Sequence, residues 1–299
     1  MSRARAQTTA GRASSNPVTH AIGRALQFVR FSHTVFAMPF ALGAMLVAAG
    51  GWPEVRVIAL IILAMVFART AAMCFNRVVD WEIDKRNPRT MERHRLMSRF
   101  GAIALLVISS LAFVATTWWI NTLCFWLSPL ALAIVFFYSL TKRFTSYSHF
   151  FLGLALSVSP VGAWLAVRGQ FDFAPLVLAL AVLLWVAGFD MIYATMDAEF
   201  DRGAGLHSWA VKRGFEGVLK WAPALHAAMF CVLILFGWLA SLRVGYSIAM
   251  GVVAAALVYE HRAAARRDVL AVNRAFFEAN AVVGIAFVLG IFWDQVVAH

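Results

Sequence analysis

Charge is scarce in this chain: Asp, Glu, Lys and Arg make up 14% of the residues, while 62% are hydrophobic. A soluble domain needs about a quarter of its residues charged to cover its surface, so the shortage excludes one and leaves a membrane protein. Cysteine is nearly absent. Cys74, Cys124 and Cys231 each stand alone in an apolar run, which excludes a disulfide framework or a cysteine metal site. They read as small buried hydrophobes. Acids are the rarer charge, 15 against 26 Lys and Arg. A basic surplus can signal nucleic acid, but here the bases lie between apolar runs. No nucleic-acid partner is expected; contact with membrane lipid at the inner face explains them.

The first twenty residues, "MSRARAQTTAGRASSNPVTH", contain no acid, and no apolar core comes after them that would make a cleavable secretory signal. The segment resembles an organellar transit peptide, and equally a basic tail lying on the inner leaflet. The second reading is preferred, giving a flexible tail over 1–20 and one intramembrane domain over 21–299. The expected location is the inner (plasma) membrane of a cell, ahead of a mitochondrial inner membrane, with the active site at the cytoplasmic face.

A membrane span takes about 20 mostly apolar residues. That window predicts an all-α polytopic protein with about nine spans: 26–49, 56–79, 100–119, 121–140, 149–167, 173–193, 220–240, 243–260 and 279–298. Placing the N-terminus inside puts 21 of the Lys and Arg residues in the tail and alternate loops, and only Arg56, Arg168 and Arg243 outside. Arg69 and Arg77 fall within the second span. The asymmetry predicts N-in, C-out. Prolines and small residues in "LSPLALA" and "SPVGAWLA" fit either simple kinks with close helix approach or a curved wall around a cavity.

Against this apolar background, "NRVVDWEID" ends the second span at the inner face. Asn76, Asp80 and Asp84 are four apart, so a helix stacks them on one face at about 6 Å per step. Acids on one face repel, and the negative end of the helix dipole disfavours them further. Something positive is therefore expected there. The sixth span ends in the same way with "DMIYATMDAEFDR": Asp197 and Asp201 repeat the four-residue step, Tyr193 stands where Asn76 did, and Asp190 lies a turn earlier. Four spans separate the copies, predicting two pseudo-repeated four-helix halves plus one helix. A single acid at a helix end is usually a solvated interface residue, whereas two matched clusters at equal depth are a functional signal. Glu82 and Glu199 fall off the shared face.

Oxygen-only ligands of the Asp and Asn type suit Mg²⁺, which keeps several waters and completes its shell with substrate phosphate. Two sparse carboxylate clusters thus suggest a diphosphate held through metal. Arg69 and Arg77 on the second span, with Lys142 and Arg143 in "YSLTKRFT", are the bases that would help. Arg69 lies deep enough to need a partner.

The pattern N-x3-D-x3-D at Asn76–Asp84, with D-x2-Y-A-x2-D-x3-D at Asp190–Asp201, resembles the UbiA superfamily of intramembrane prenyltransferases. "TKRFT", "GLHS" and the number of spans fit as well, over nearly everything after the tail. "RFSHTVFAMPFALGA" and "SHFFLGLALSVSPVGAWLAV" look like the 4-hydroxybenzoate polyprenyltransferase-like branch. The resemblance implies Mg²⁺ and a polyprenyl diphosphate held by Asn76, Asp80, Asp84, Asp190, Asp197 and Asp201 beside Tyr193, with Arg69, Arg77, Lys142 and Arg143 on the diphosphate. At the inner end of the first span, Arg30 and His33 are candidates either to meet the aromatic acceptor or to anchor the interface, and His207 either to contact phosphate or acceptor or to be a plain loop histidine. After "NPRT" the chain reads "MERHRLMSRFG", departing from the family's usual sequence there.

The reaction so implied is electrophilic aromatic substitution: the allylic C–O bond ionises, and the cation alkylates an electron-rich ring carbon that then loses its proton. Asp190, released diphosphate or water could take that proton. Haem, chlorophyllide, homogentisate and dihydroxynaphthoate remain alternative acceptors. A secondary transporter is the rival from another class, but such proteins place their ion sites near the bilayer midplane rather than at the inner helix ends.

Overall fold

The computed structural model describes Gly23 and residues 34–298. The tail, Arg30 and His33 lie outside the described residues, so the expectations placed on them go untested. All regular structure among the described residues is helical. The chain runs through α1 (Thr34–Ala49), α2 (Val55–Val79), α3 (Trp81–Arg86), α4 (Arg99–Ile120), α5 (Thr122–Thr141), α6 (Ser148–Arg168), α7 (Phe173–Ala194), α8 (Ala198–Gly203), α9 (Trp209–Leu239), α10 (Val244–Ala265) and α11 (Val269–Phe292). Eight of the described segments are long and apolar enough to cross a membrane, and the apolar part of α1 is shorter, Ala37–Ala49. The protein is an integral membrane protein.

Polar residues set where the helices begin. Ser98, Asn121 and Ser208 each accept a backbone N–H three residues on, satisfying donors that a helix start leaves open. Two helices begin about ten residues before their expected spans, α9 at Trp209 and α11 at Val269. A hydropathy window stops at charges such as Lys212, Arg213 and Arg274. A helix does not, because long basic side chains reach the headgroups while the backbone continues. Gly214 bends α9 with φ 67° and ψ −176°, a conformation that glycine adopts without steric cost.

Neighbouring helices close into a ring: α2 packs on α4, α4 on α5, α5 on α6, α6 on α7, α7 on α9, α9 on α10, α10 on α11, and α11 on α1, which also lies on α6. The α2–α4 and α7–α9 pairs each begin with a helix whose end carries an acidic cluster. Trp185, Phe40 and Phe287 are fully buried at the centre, with ring separations of 4.8 and 4.5 Å. Trp52, Trp118, Trp119, Trp126, Trp238 and Trp293 are exposed at the end opposite the acids, as an interfacial belt would be. A buried polar stitch joins α9, α10 and α11. His226 Nδ1 lies 3.0 Å from His261 Nε2, and Asn280 Nδ2 donates to Phe276 O at 2.7 Å and to Glu260 Oε1 at 3.4 Å. Interhelical bonds of this kind contribute only about 0.6 kcal/mol each, so the stitch aligns helices more than it stabilises them.

α6 and α7 approach closely at Gly153, where an added Cβ would lie 2.4 Å from the Leu183 carbonyl oxygen. Backbone cannot yield there as a side chain could. Gly153→Ala is expected to lower stability by about 1–3 kcal/mol, read as a fall in melting temperature in detergent; an unchanged melt would show that the two helices separate freely.

Candidate active site

The first acidic segment is not one uninterrupted helix. α2 stops at Val79, Asp80 takes φ −89° and ψ 14°, and α3 starts at Trp81. Asp80 N still donates to Asn76 O at 2.9 Å, and Asp84 N to Asp80 O at 2.8 Å, so the four-residue helical step survives the interruption. Asn76, Asp80 and Asp84 all line one cavity, as the four-residue spacing predicts. Asn76 Nδ2 donates to Asp80 Oδ2 at 3.2 Å. Arg143, from beyond α5, donates to Asp80 Oδ1 and to Val79 O, both at 2.9 Å. Asp84 turns inward to Arg77 at 3.2 Å, and both are buried. The repulsion anticipated from sequence is thus relieved by arginines, one for each carboxylate.

The second segment is broken in the same way: α7 gives way to a 3₁₀ turn over Thr195–Asp197 before α8. Asp190 Oδ2 meets Nδ1 of the fully buried His149 at 2.7 Å. Arg89 spans the two motifs. Its Nε donates to Asp197 Oδ1 at 2.8 Å, its Nη2 pairs with Asp197 Oδ2, and its Nη1 donates to the Tyr193 hydroxyl at 2.7 Å. Asp201 is 4% exposed, and its Oδ2 has no hydrogen-bond partner among the described residues. A buried carboxylate oxygen left in that state is costly and calls for a cation or a donor.

These groups surround one polar cavity of about 180 Å³, lined by Asn76, Asp80, Asp84, Arg89, Lys142, Arg143, Asp190, Asp197 and Asp201 among others. Burial pushes the Asp80 carboxyl above its ordinary value, against the pull of Arg143. Burial also opposes the charge on Lys142, but Asp190, Asp201, Asp197 and Asp80 outweigh it and hold the ammonium above the usual lysine range. Lys142 is therefore a fixed positive charge among four acids. Tyr138 lines this cavity and also an apolar one of about 430 Å³ that runs between α2, α4, α5 and α6.

Most of the residues singled out in the sequence converge here. Arg69 instead lines the apolar cavity, as does Tyr138 on the facing α5. Tyr193 stands beside the polar cavity through Arg89. The His207 side chain is exposed and outside the lining; its backbone N–H donates to Lys142 O at 2.7 Å. Two residues that sequence reading passed over are central, Arg89 and His149. Arg89 lies in "NPRT", beyond the four-residue spacing that marks the first acidic motif. His149 reads as one more residue of an apolar span, and only its contact 41 positions away gives it meaning.

No three of the carboxylate, histidine or cysteine side chains among the described residues already form a metal cluster; Asp80, Asp84 and Asp197 are each paired with an arginine. The set still fits a hard divalent ion: every donor is oxygen, and Asp201 Oδ2 lacks a partner among the described residues.

Residues 37–290 match the model of the UbiA prenyltransferase family. The chain belongs to the UbiA prenyltransferase family. It is accordingly an enzyme that transfers alkyl groups larger than methyl. A 4-hydroxybenzoate octaprenyltransferase of Pseudomonas aeruginosa is 30% identical over 255 residues, covering 83% of this chain and 84% of that protein. The apo structure of a UbiA homolog from Aeropyrum pernix superposes with a TM-score of 0.80 at 32% identity, covering 88% of this chain and 98% of that one. A UbiA homolog from Archaeoglobus fulgidus, solved bound to GPP and Mg²⁺, superposes at 0.70 with 20% identity over 90% of this chain and 99% of that one; at that identity the likeness shows the fold alone.

Proposed function

We propose that this UbiA-family enzyme transfers a polyprenyl group from an isoprenyl diphosphate to an aromatic acceptor, 4-hydroxybenzoate or a related precursor of ubiquinone or menaquinone. The observation that carries the proposal is the junction at Tyr138, where a polar cavity ringed by aspartates and bases meets an apolar cavity of about 430 Å³. A charged head with a long hydrocarbon tail needs these two environments side by side. The naming of relatives as 4-hydroxybenzoate octaprenyltransferases supports the acceptor class.

Asn76, Asp80, Asp84, Asp197 and Asp201 would hold Mg²⁺, as the oxygen-only donor set and the unpartnered Asp201 oxygen favour. Bound there, the ion supplies positive charge that stabilises the departing diphosphate. Lys142, Arg143 and Arg89 face the same cavity and take up negative charge as the C–O bond breaks. Arg77 stays on Asp84 and holds it in place, while Arg69 guards the apolar side. The walls of the apolar cavity, among them Phe113, Leu127 and Leu156, exclude water from the allylic cation until the ring carbon attacks. The basic bias of the loops favours the cytoplasmic face for this end of the bundle.

The test is transfer of a labelled polyprenyl group to 4-hydroxybenzoate by protein reconstituted in lipid, with and without Mg²⁺. Magnesium-dependent prenylated product is expected. Cleavage of the diphosphate without ring transfer would move the reading to other aromatic acceptors, and a folded protein that neither bound nor cleaved it would end the proposal.

A further inference from the structure

His149 has no side-chain exposure and does not line the polar cavity, yet it is tied at both ring nitrogens. Its Nε2 lies 3.1 Å from the backbone nitrogen of Trp209. A backbone N–H can only donate, so Nε2 must carry the lone pair. In a neutral imidazole the proton then sits on Nδ1, which is 2.7 Å from Asp190 Oδ2. One tautomer alone satisfies both partners. Trp209 is the first residue of α9 and its N–H is one of the donors that a helix start leaves open; Ser208, the cap, is already taken by Val211 N. The start of α9 thus sets the tautomer of a residue on α6, which in turn aims a carboxylate on α7.

We propose that His149 is a positioning residue: locked as the Nδ1–H tautomer by the Trp209 N–H, it holds Asp190 turned so that its second oxygen receives the proton leaving the acceptor ring. The inference rests on the aromatic-transfer reading of the site. Asp190 is partly open to the cavity, its side chain 19% exposed, and it shares that cavity with Lys142. In the step itself, the C–O electron pair leaves with the diphosphate, and a ring π pair forms the new C–C bond. The ring C–H pair then returns to the ring as the proton passes to the free Asp190 oxygen. The resulting acid gives its proton to water once product departs. The role of His149 is geometric, one donated bond to a carboxylate that keeps the other oxygen aimed.

Two substitutions separate positioning from packing. Phe fills the space of the imidazole but offers neither donor nor acceptor. Gln offers an amide N–H₂ and C=O at about the separation of the two ring nitrogens, so it can accept from Trp209 and donate to Asp190. With ring-deuterated acceptor, the parent enzyme is expected to show a primary isotope effect near one, since proton loss comes after a harder ionisation. His149→Phe is expected to lower kcat by about 10²-fold with KM for the prenyl diphosphate unchanged, and the isotope effect should rise clearly above one. His149→Gln is expected to recover most of kcat and return the isotope effect to one. An isotope effect that stays at one in a folded His149→Phe protein, or a loss that Gln does not relieve, would reduce His149 to a packing residue. The ¹⁵N spectrum of histidine-labelled protein tests the tautomer without any turnover: it should show an unprotonated Nε2 and a protonated Nδ1. A protonated Nε2 would overturn the proposal on its own. A parent enzyme that transfers to no aromatic ring would overturn the acceptor reading and the proton-receiving role together, while the spectrum would still decide whether the lock exists.

Discussion

Asp80→Asn is expected to cut prenyl transfer by about 10²–10³-fold while leaving the metal-free protein at least as stable as the parent. The substitution keeps the shape of the side chain and a weaker acceptor for Arg143, but removes the charge that a cation and diphosphate would need. The stability half comes from sign. Burial, opposed by Arg143, leaves the folded carboxyl with a pKa raised above its ordinary value of 3.8. The folded state therefore holds this proton more tightly than the unfolded chain does. Its contribution to stability is present below the unfolded value and is lost as pH rises through the folded one. At neutral pH the ionised Asp80 is thus a cost to the fold, which the amide relieves. Melting temperature in chelator, set beside transfer activity, checks both halves. A protein that loses activity only because it melts earlier would contradict the account of the site.

Lys142→Met should reduce transfer by a comparable factor, about 10²–10³, and should destabilise the protein. The lysine is the shared counter-charge of Asp190, Asp201, Asp197 and Asp80, and Met of similar length leaves those carboxylates facing one another across the cavity. Its raised pKa means that the stabilising contribution is complete below the ordinary lysine value and fades only as pH climbs through the higher folded one. No alkaline loss of stability from this residue is therefore expected in the neutral range. In Lys142→Met, added Mg²⁺ should raise the melting temperature more than it does in the parent, because the carboxylates have lost their internal cation. A Met variant with full activity and an unchanged melt would show that the ammonium is a bystander.

The lysine and aspartate variants bear on a common feature of the site. Asp80, Asp84 and Asp197 are paired with Arg143, Arg77 and Arg89, so in the proposed reaction metal and diphosphate would compete with guanidinium groups for part of the acidic set. Arg89 is the most consequential of these, since it joins the loop after α3 to both Asp197 and Tyr193. On the proposed reading, an entering diphosphate would draw the same guanidinium from carboxylate to phosphate, for which its planar fork is equally suited.

Sequence alone determined that this is a helical membrane protein, because 62% hydrophobic content arranged in runs of about 20 residues allows little else. It also located both acidic motifs, because ionisable residues stand out sharply against apolar helices. It did not determine how the acids are partnered: the four-residue spacing placed them on a shared face, but packing chose Arg143 for Asp80, Arg77 for Asp84, Arg89 for Asp197 and His149 for Asp190. Span limits at Trp209 and Val269 escaped a hydropathy window because basic side chains extend to the headgroups without ending the helix. Arg89 and His149 were invisible for a different reason. Their partners, Asp197 and Asp190, lie 108 and 41 positions away, and a pairing over that separation exists only once α6, α7 and the loop after α3 have packed together. Composition and periodicity are local and survive in the unfolded chain, whereas a carboxylate's partner is chosen by packing.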